Sequence, residues 1–317
     1  MDILNCGLIL LSLILAYVLP FKLFVFSYVV LGPLHYMTEI GWLDSKSFFV
    51  RKKGDAWWLV GLCSLASIAT VANYFSDGLY PSEKILYFIH PSRIVIATVL
   101  AAIGLVFVTS GLWRMLWVIG AYALVIFIDQ LPTQILYLSL FVPTVIHVFI
   151  FTFFFMTQGA IRSRSGYGGL ASLLLLAGGA VALFLSIDPF LPDDFSREFM
   201  ESSKFSHLHP QIGKLLGISA LHQIQVFLAF AYTYHYLNWF SKTGIIKWHK
   251  IQSWKLISAI IVWIGSVALY FVDMHLAVMS LFFLSLLHVF LELPLNVLSI
   301  TDVGKAVVQL VIPNEKS

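Results

Sequence analysis

Read from Met1, the chain is a succession of apolar runs separated by short polar interruptions. The runs lie near 3–19, 21–42, 56–75, 94–111, 113–129, 134–158, 169–187, 213–240, 256–271 and 276–298. Crossing the hydrocarbon of a bilayer takes roughly 20 mostly apolar residues in a helix, and these runs have about that length. Some interruptions are slight: Pro20 and Lys22 separate the first two runs, and Leu112, Trp113 and Arg114 separate the fourth from the fifth. The pattern predicts an all-α fold, a polytopic transmembrane bundle of about ten helices. It forms one transmembrane domain over 1–317, with no soluble domain beside it.

The polar interruptions alternate in sign. Lys46, Arg51, Lys52 and Lys53 fall in one loop, followed by Arg114, then Arg162 and Arg164, then Lys242, Lys247, Lys250 and Lys255. The loops between them are acidic or mixed, with Asp77 and Glu83, then Asp188, Asp193, Asp194, Glu198 and Glu201. Lysine and arginine collect on the cytoplasmic side, so both termini are expected there, and 188–212 becomes the longest external loop, carrying His207 and His209. Met1-Asp2 runs straight into apolar sequence without a basic leader region, which reads as a first helix rather than a cleaved signal.

Composition agrees. Hydrophobic residues make up 60% of the chain and charged residues 11%, against about 25% charged in a soluble domain. A net charge of +3 gives no reason to expect a nucleic-acid partner. Cys6 and Cys63 both sit in apolar runs and form neither a disulfide framework nor a CxxC pair.

Against this background the ionisable residues inside the runs stand out, because each costs at least a few kcal/mol at membrane depth. The second run holds His35 and Glu39, the sixth His147, the eighth His222 and His235, and the tenth His288 and Glu292. His35 with Glu39 and His288 with Glu292 repeat a His-x-x-x-Glu spacing, which stacks an imidazole and a carboxylate on one helix face. Helix bundles build metal centres from such inward-facing residues, with carboxylates as ligands or as partners of a ligand's second ring nitrogen. Counted along the spans, His147 and His288 fall near the middle, His35 slightly toward the cytoplasmic side, and Glu39, Glu292 and His235 one to two turns further that way. His222 and His235 are thirteen positions apart, on largely opposite faces of one helix, so both cannot aim at one centre. A buried His/Glu group also serves a proton or ion pathway, and two facing histidines can hold haem. The aromatic stretches Phe149–Phe155 and Phe230–Phe240 read as lipid-facing or packing surface, or as the wall of a tunnel for a long apolar substrate.

Four of these segments, in order, resemble the His segments of the bacterial Brp/Blh family of membrane carotene dioxygenases. Gly32-Pro33-Leu34-His35 with Glu39 resembles that family's opening Gly-Leu-Pro-His motif and its acid. Val145-Ile146-His147 resembles its second segment, Tyr234 to Trp239 its third, and Leu287-His288 with Glu292 its last. Where the family's third segment has two histidines four apart, this chain offers only His235, with Trp239 or Ala231 at the second place. The interval from His35 to His147 is also longer than the family's.

Together, residues and resemblance predict a metal-dependent oxygenase of the membrane, in a bacterial inner membrane. Iron as Fe2+ is the expected metal, because imidazole with open positions suits oxygen activation by non-haem iron. The expected ligands are His35, His147, His235 and His288, with His222 the further candidate. Glu39 and Glu292 are the expected catalytic or supporting carboxylates. The expected partners are an apolar, lipid-like or carotenoid small molecule and the membrane lipid itself. The rival readings are a proton-coupled transporter or channel, for which Pro33, Pro143 and Pro294 near the key residues would mark broken helices, and a bis-His haem protein.

Overall fold

A computed structural model describes residues 1–46, 54, 56–75, 91–127, 143–187, 221–242, 244, 247, 250, 252–272 and 274–311. The loop 188–212 with His207 and His209, and most of the charged loops used above to orient the chain, lie outside the described residues. Nearly all the described residues are helical, with no strand among them.

The helices follow the apolar runs. They are α1 (Asp2–Val18), α2 (Pro20–Phe26), α3 (Gly32–Lys46), α4 (Ala56–Phe75), α5 (Pro91–Phe107), α6 (Gly111–Phe127), α7 (Thr152–Ser163), α8 (Gly166–Phe184), α9 (Leu221–Ser241), α10 (Ser253–Val272) and α11 (Met274–Val311). Two π-helical stretches, Ser27–Leu31 and Ile146–Phe151, join α2 to α3 and lead into α7. With those joins counted as continuous, the described residues form ten helical segments, where ten runs were expected. Pro20 opens α2, where its missing N–H costs nothing. Between α7 and α8 the chain turns on Arg164 in the left-handed region, φ 50°. The Ser165 hydroxyl then caps α8 by accepting from the Gly168 N–H at 3.1 Å. The last helix runs past its expected end at 298, through Pro294, for 38 residues.

Among the described residues, five segments are long and apolar enough to cross a membrane: Pro20–Ser45, Pro143–Ser163, Gly166–Phe184, Ser253–Val272 and Ser280–Gln309. Four shorter apolar helices accompany them. This make-up is compatible with an integral membrane protein. The distribution of polarity supports it, since large apolar side chains such as Phe271 and Val272 are 82% and 84% exposed while His35, Thr38, Glu39 and Asn296 are buried. The most apolar span, α10, has a mean hydropathy of 2.0 and buries only Ala259.

α9 is the reverse case. It is 21 residues long but is not among the apolar spans, because it carries His222, Gln223, Gln225, Thr233, His235 and Asn238. None of its residues from 222 to 241 is exposed. α1, α2, α3, α8 and both π-helical stretches pack around it.

Two apolar clusters result. One gathers on α9, α8 and α1 through Phe227, Phe230, Leu175 and Ile9. The other gathers on α11, α4 and α5 through Phe290, Leu286, Leu59 and Leu105. The segments 20–46 and 143–163 contribute to both: Tyr36 and Val148 to the first, Leu43 and Phe151 to the second. The aromatic stretches resolve accordingly, with Phe149, Phe151 and Phe230 buried as packing surface rather than facing lipid. The four histidines named below come from the two shared segments and from the central helix of each cluster.

Candidate metal centre

Each histidine is placed by a local feature of its helix. His35 lies one turn into α3, directly after Gly32 and Pro33. A Cβ on Gly32 would stand 2.8 Å from Tyr36 Oη and 3.3 Å from Tyr236 Oη, so the bare glycine makes room for the Tyr36–Tyr236 hydroxyl bond of 2.8 Å. Tyr36 in turn stacks on the His288 ring, with centroids 4.1 Å apart and planes at 20°. His147 lies inside the Ile146–Phe151 π turn. Five residues on a straight α-helix are about 140° apart, whereas a π turn closes i to i+5. His147 and Thr152 can therefore both face α9, and both meet His235 there.

The rings converge. His235 Nε2 is 3.0 Å from His35 Nε2, and His288 Nε2 is 3.1 Å from His147 Nε2. Ring centroids of His35, His147, His235 and His288 lie 4.7–6.5 Å apart. Glu39 Oε2 is 3.0 Å from His35 Nε2, and Glu292 Oε2 is 2.6 Å from His147 Nδ1. Donor atoms from His35, Glu39, His147 and His288 all lie within 4.8 Å of one another, and all four residues are buried.

The outward-facing nitrogens reveal what the inward ones carry. Thr152 Oγ1 has one hydrogen, which it donates to Val148 O at 3.0 Å. Its contact with His235 Nδ1 at 2.7 Å must then run from the ring to the hydroxyl. His288 Nδ1 faces Leu284 O at 3.3 Å, and a carbonyl only accepts. Glu292 Oε2 is 2.6 Å from His147 Nδ1, but no hydrogen bond joins them. The neutral imidazoles of His235 and His288 therefore keep Nδ1–H outward and present a bare Nε2 lone pair inward. Those lone pairs face His35 Nε2 at 3.0 Å and His147 Nε2 at 3.1 Å, and no hydrogen bond joins Glu39 Oε2 to His35. Each lone pair is satisfied by an Nε2–H of the facing ring or by a cation between the two rings.

A metal ion fits. Two nitrogen donors at right angles, each about 2.1 Å from a metal, stand about 3.0 Å apart, which matches the observed 3.0 and 3.1 Å. Anchoring the second ring nitrogen on a carboxylate, hydroxyl or carbonyl is how metal-binding histidines are held. The six side chains include two carboxylates and no lysine or arginine, so a divalent cation would offset buried negative charge. The donors are nitrogen and oxygen only; Cys63 bonds instead to Phe283 O at 3.9 Å.

Of the expected site residues, His35, His147, His235, His288, Glu39 and Glu292 come together. His222 does not join them. It is thirteen residues from His235 on α9, about 20 Å along the axis. Glu292 was expected to share a point with His288, four residues before it, yet it reaches across to His147 and takes an N–H from Asn296 at 3.1 Å. Thr152, Tyr36, Gly32 and Asn296 belong to the surroundings of the site; of these only Gly32 stands in the motif that the sequence signalled. Away from these contacts, an open groove of about 520 Å3 lies between α7 and α8, lined by Phe153, Thr157, Ile161, Arg164 and Leu173 among others.

No protein family matches the chain, nor does any curated protein or any solved structure.

Proposed function

We propose that the chain is a metal-dependent oxygenase of the membrane, binding iron as Fe2+ and acting on an apolar, lipid-like or carotenoid substrate. In this reading it sits in a bacterial inner membrane with both termini cytoplasmic. The observation that carries the metal reading is the convergence of donor atoms from His35, His147 and His288 beside Glu39, with the outward ring nitrogens of His235 and His288 facing Thr152 and Leu284 O.

Imidazole and carboxylate without thiolate suit iron among other divalent metals. Oxygenase chemistry and the substrate class rest on the resemblance of the segments around His35, His147, His235 and His288 to the carotene dioxygenases. When bound, Fe2+ would supply oxygen activation. His35, His147, His288 and Glu39 would hold it, with His235 at the edge. The rings of Trp239, Tyr236 and Phe240 lie 5.0–6.5 Å from His35 and keep water from the centre.

The rivals have less support. A haem iron with two axial nitrogens would hold them about 4 Å apart, and the stacked Tyr36 ring takes the space a macrocycle would need. A transporter built on broken helices is weakened by the unbroken passage of the chain through Pro33 and Pro294.

Elemental analysis and an absorption spectrum of detergent-purified protein test the proposal. One or two iron atoms per chain and no Soret band are expected, and His147→Ala should lose the metal while the helices still unfold cooperatively. Protein never exposed to chelator that contains neither transition metal nor haem would move the reading to a proton relay.

A further inference from the structure

A metal centre at the heart of an apolar bundle needs a route by which a hydrated cation reaches it. Along α11 the buried Glu292 is followed by Asn296, Ser299 and Asp302, at intervals of four, three and three residues. That spacing keeps them on one face of the helix, with Gln158 and Arg162 of α7 opposite. Asn296 Nδ2 donates to Glu292 Oε2 at 3.1 Å. Ser299 Oγ donates to Gln158 Oε1 at 3.4 Å. Gln158 Nε2 and Arg162 Nη2 both donate to Asp302 Oδ2, at 2.9 and 3.1 Å. The file thus runs from the buried Glu292, past a fully buried amide, to an aspartate whose side chain is 44% exposed, about 15 Å along the helix.

Nothing in the packing asks for these groups. A buried amide or hydroxyl away from water costs free energy unless it is bonded, and Asn296 Oδ1 is buried with no hydrogen-bond partner. Along the helix, Asn296 lies between the carboxylate that touches His147 and the hydroxyl that touches Gln158. Each step offers an oxygen, and oxygen donors are what a hydrated divalent cation exchanges for its water. The outer end is closed by the Arg162–Asp302 pair. Exposed pairs of this kind contribute about 0–1 kcal/mol, so the mouth opens at little cost.

We infer that Asp302, Gln158, Ser299 and Asn296 form the loading route by which a divalent metal ion passes from the membrane surface to Glu292 and the histidine centre. The inference rests on the metal reading above and concerns how the ion arrives, not what it does. Asp302 gathers the cation at the mouth. Ser299, Gln158 and Asn296 replace its water one oxygen at a time.

The test is the rate of metal uptake by full-length protein in detergent, stripped with chelator. Fe2+ is added without oxygen, uptake is stopped by excess chelator at timed intervals, and bound iron per chain is counted. Asp302→Asn should slow uptake about tenfold at low salt, the lower end of electrostatic steering, and less as salt screens the charge. Ser299→Val should slow it at all salt concentrations. Both should reach the wild-type iron content in the end. Thr301→Val, whose hydroxyl bonds only to Val297 O and Leu298 O of its own helix, should load like wild type. If Asp302→Asn and Ser299→Val both load at the wild-type rate, the route is wrong while the centre stands. If wild-type protein takes up no metal, the metal reading fails and the route falls with it.

Discussion

Thr152 is the most informative single substitution. Its hydroxyl accepts from His235 Nδ1 and donates to Val148 O of its own helix. Valine nearly matches threonine in volume, so Thr152→Val opens no cavity and removes the hydroxyl alone. The His235 N–H is then left buried without an acceptor. An unsatisfied buried donor costs about 1–3 kcal/mol. Loss of a group that orients a metal-bound histidine lowers metal affinity about 10–100-fold, which is about 1.4–2.8 kcal/mol. The two routes reach the same magnitude because both count one lost hydrogen bond at a ligand. The assay is competition for the metal against chelators of graded affinity, run on wild type, Thr152→Val, His235→Ala and the double variant. If Thr152 acts through His235, the double variant binds metal no more weakly than His235→Ala alone, as non-additive neighbours require. An affinity within threefold of wild type for Thr152→Val, or plain additivity in the double variant, would refute the reasoning.

Three other outcomes are expected. Glu292→Gln keeps the shape but removes the charge beside His147 Nδ1, so metal affinity in the same competition assay should fall about 10–100-fold. Gly179→Ala would drive a methyl into Phe149 and should lower stability by about 1–3 kcal/mol; Gly265→Ala, with open space around it, should be neutral or raise stability by about 0.5–1 kcal/mol, both read from thermal unfolding in detergent. Ile264→Lys, on the exposed face midway along α10, should oppose membrane insertion of that helix by about 2.5–3.5 kcal/mol, measured by glycosylation mapping; unimpaired insertion would argue against a lipid-facing α10.

The helices were legible because lipid tolerates few polar side chains, so the beginning and end of each span are written in composition. The ends of α11 were less so. Pro294 lies inside it and does not stop it, and beyond 298 its exposed Ile300, Val307 and Val308 alternate with polar residues that break the apolar run without breaking the helix. The convergence of His35, His147, His235 and His288 was foreshadowed by their cost at membrane depth, since that cost is independent of which helices are neighbours. Their partners were not foreshadowed. Helical periodicity groups residues on one helix, which is why Glu292 was paired with His288; the contact with His147 depends on how α11 and the 143–163 segment are rotated against each other. Thr152 was hidden by the π turn, which departs from the 3.6-residue period on which the sequence reading depends. The stretch of four glycine-proline-leucine-histidine residues at 32–35 did carry a signal, and its physical content is the space Gly32 leaves for Tyr36 and Tyr236.

The polarity of α9 has a consequence for how the protein is made. A nascent helix leaves the insertion machinery when lipid suits it better than water, and α9 on its own has no such preference. Its seat is offered by α1, α2, α3 and α8, of which the first three are synthesised long before it. α9 should therefore enter by docking against helices already in place, so its arrival is a step of assembly and not of partitioning. A fusion presenting residues 221–241 alone should stay out of the membrane, while the same residues following 1–187 should go in. Because His235 travels on that helix, the histidine group is completed only when this late docking succeeds, and the chain would carry no finished centre until most of it has left the ribosome.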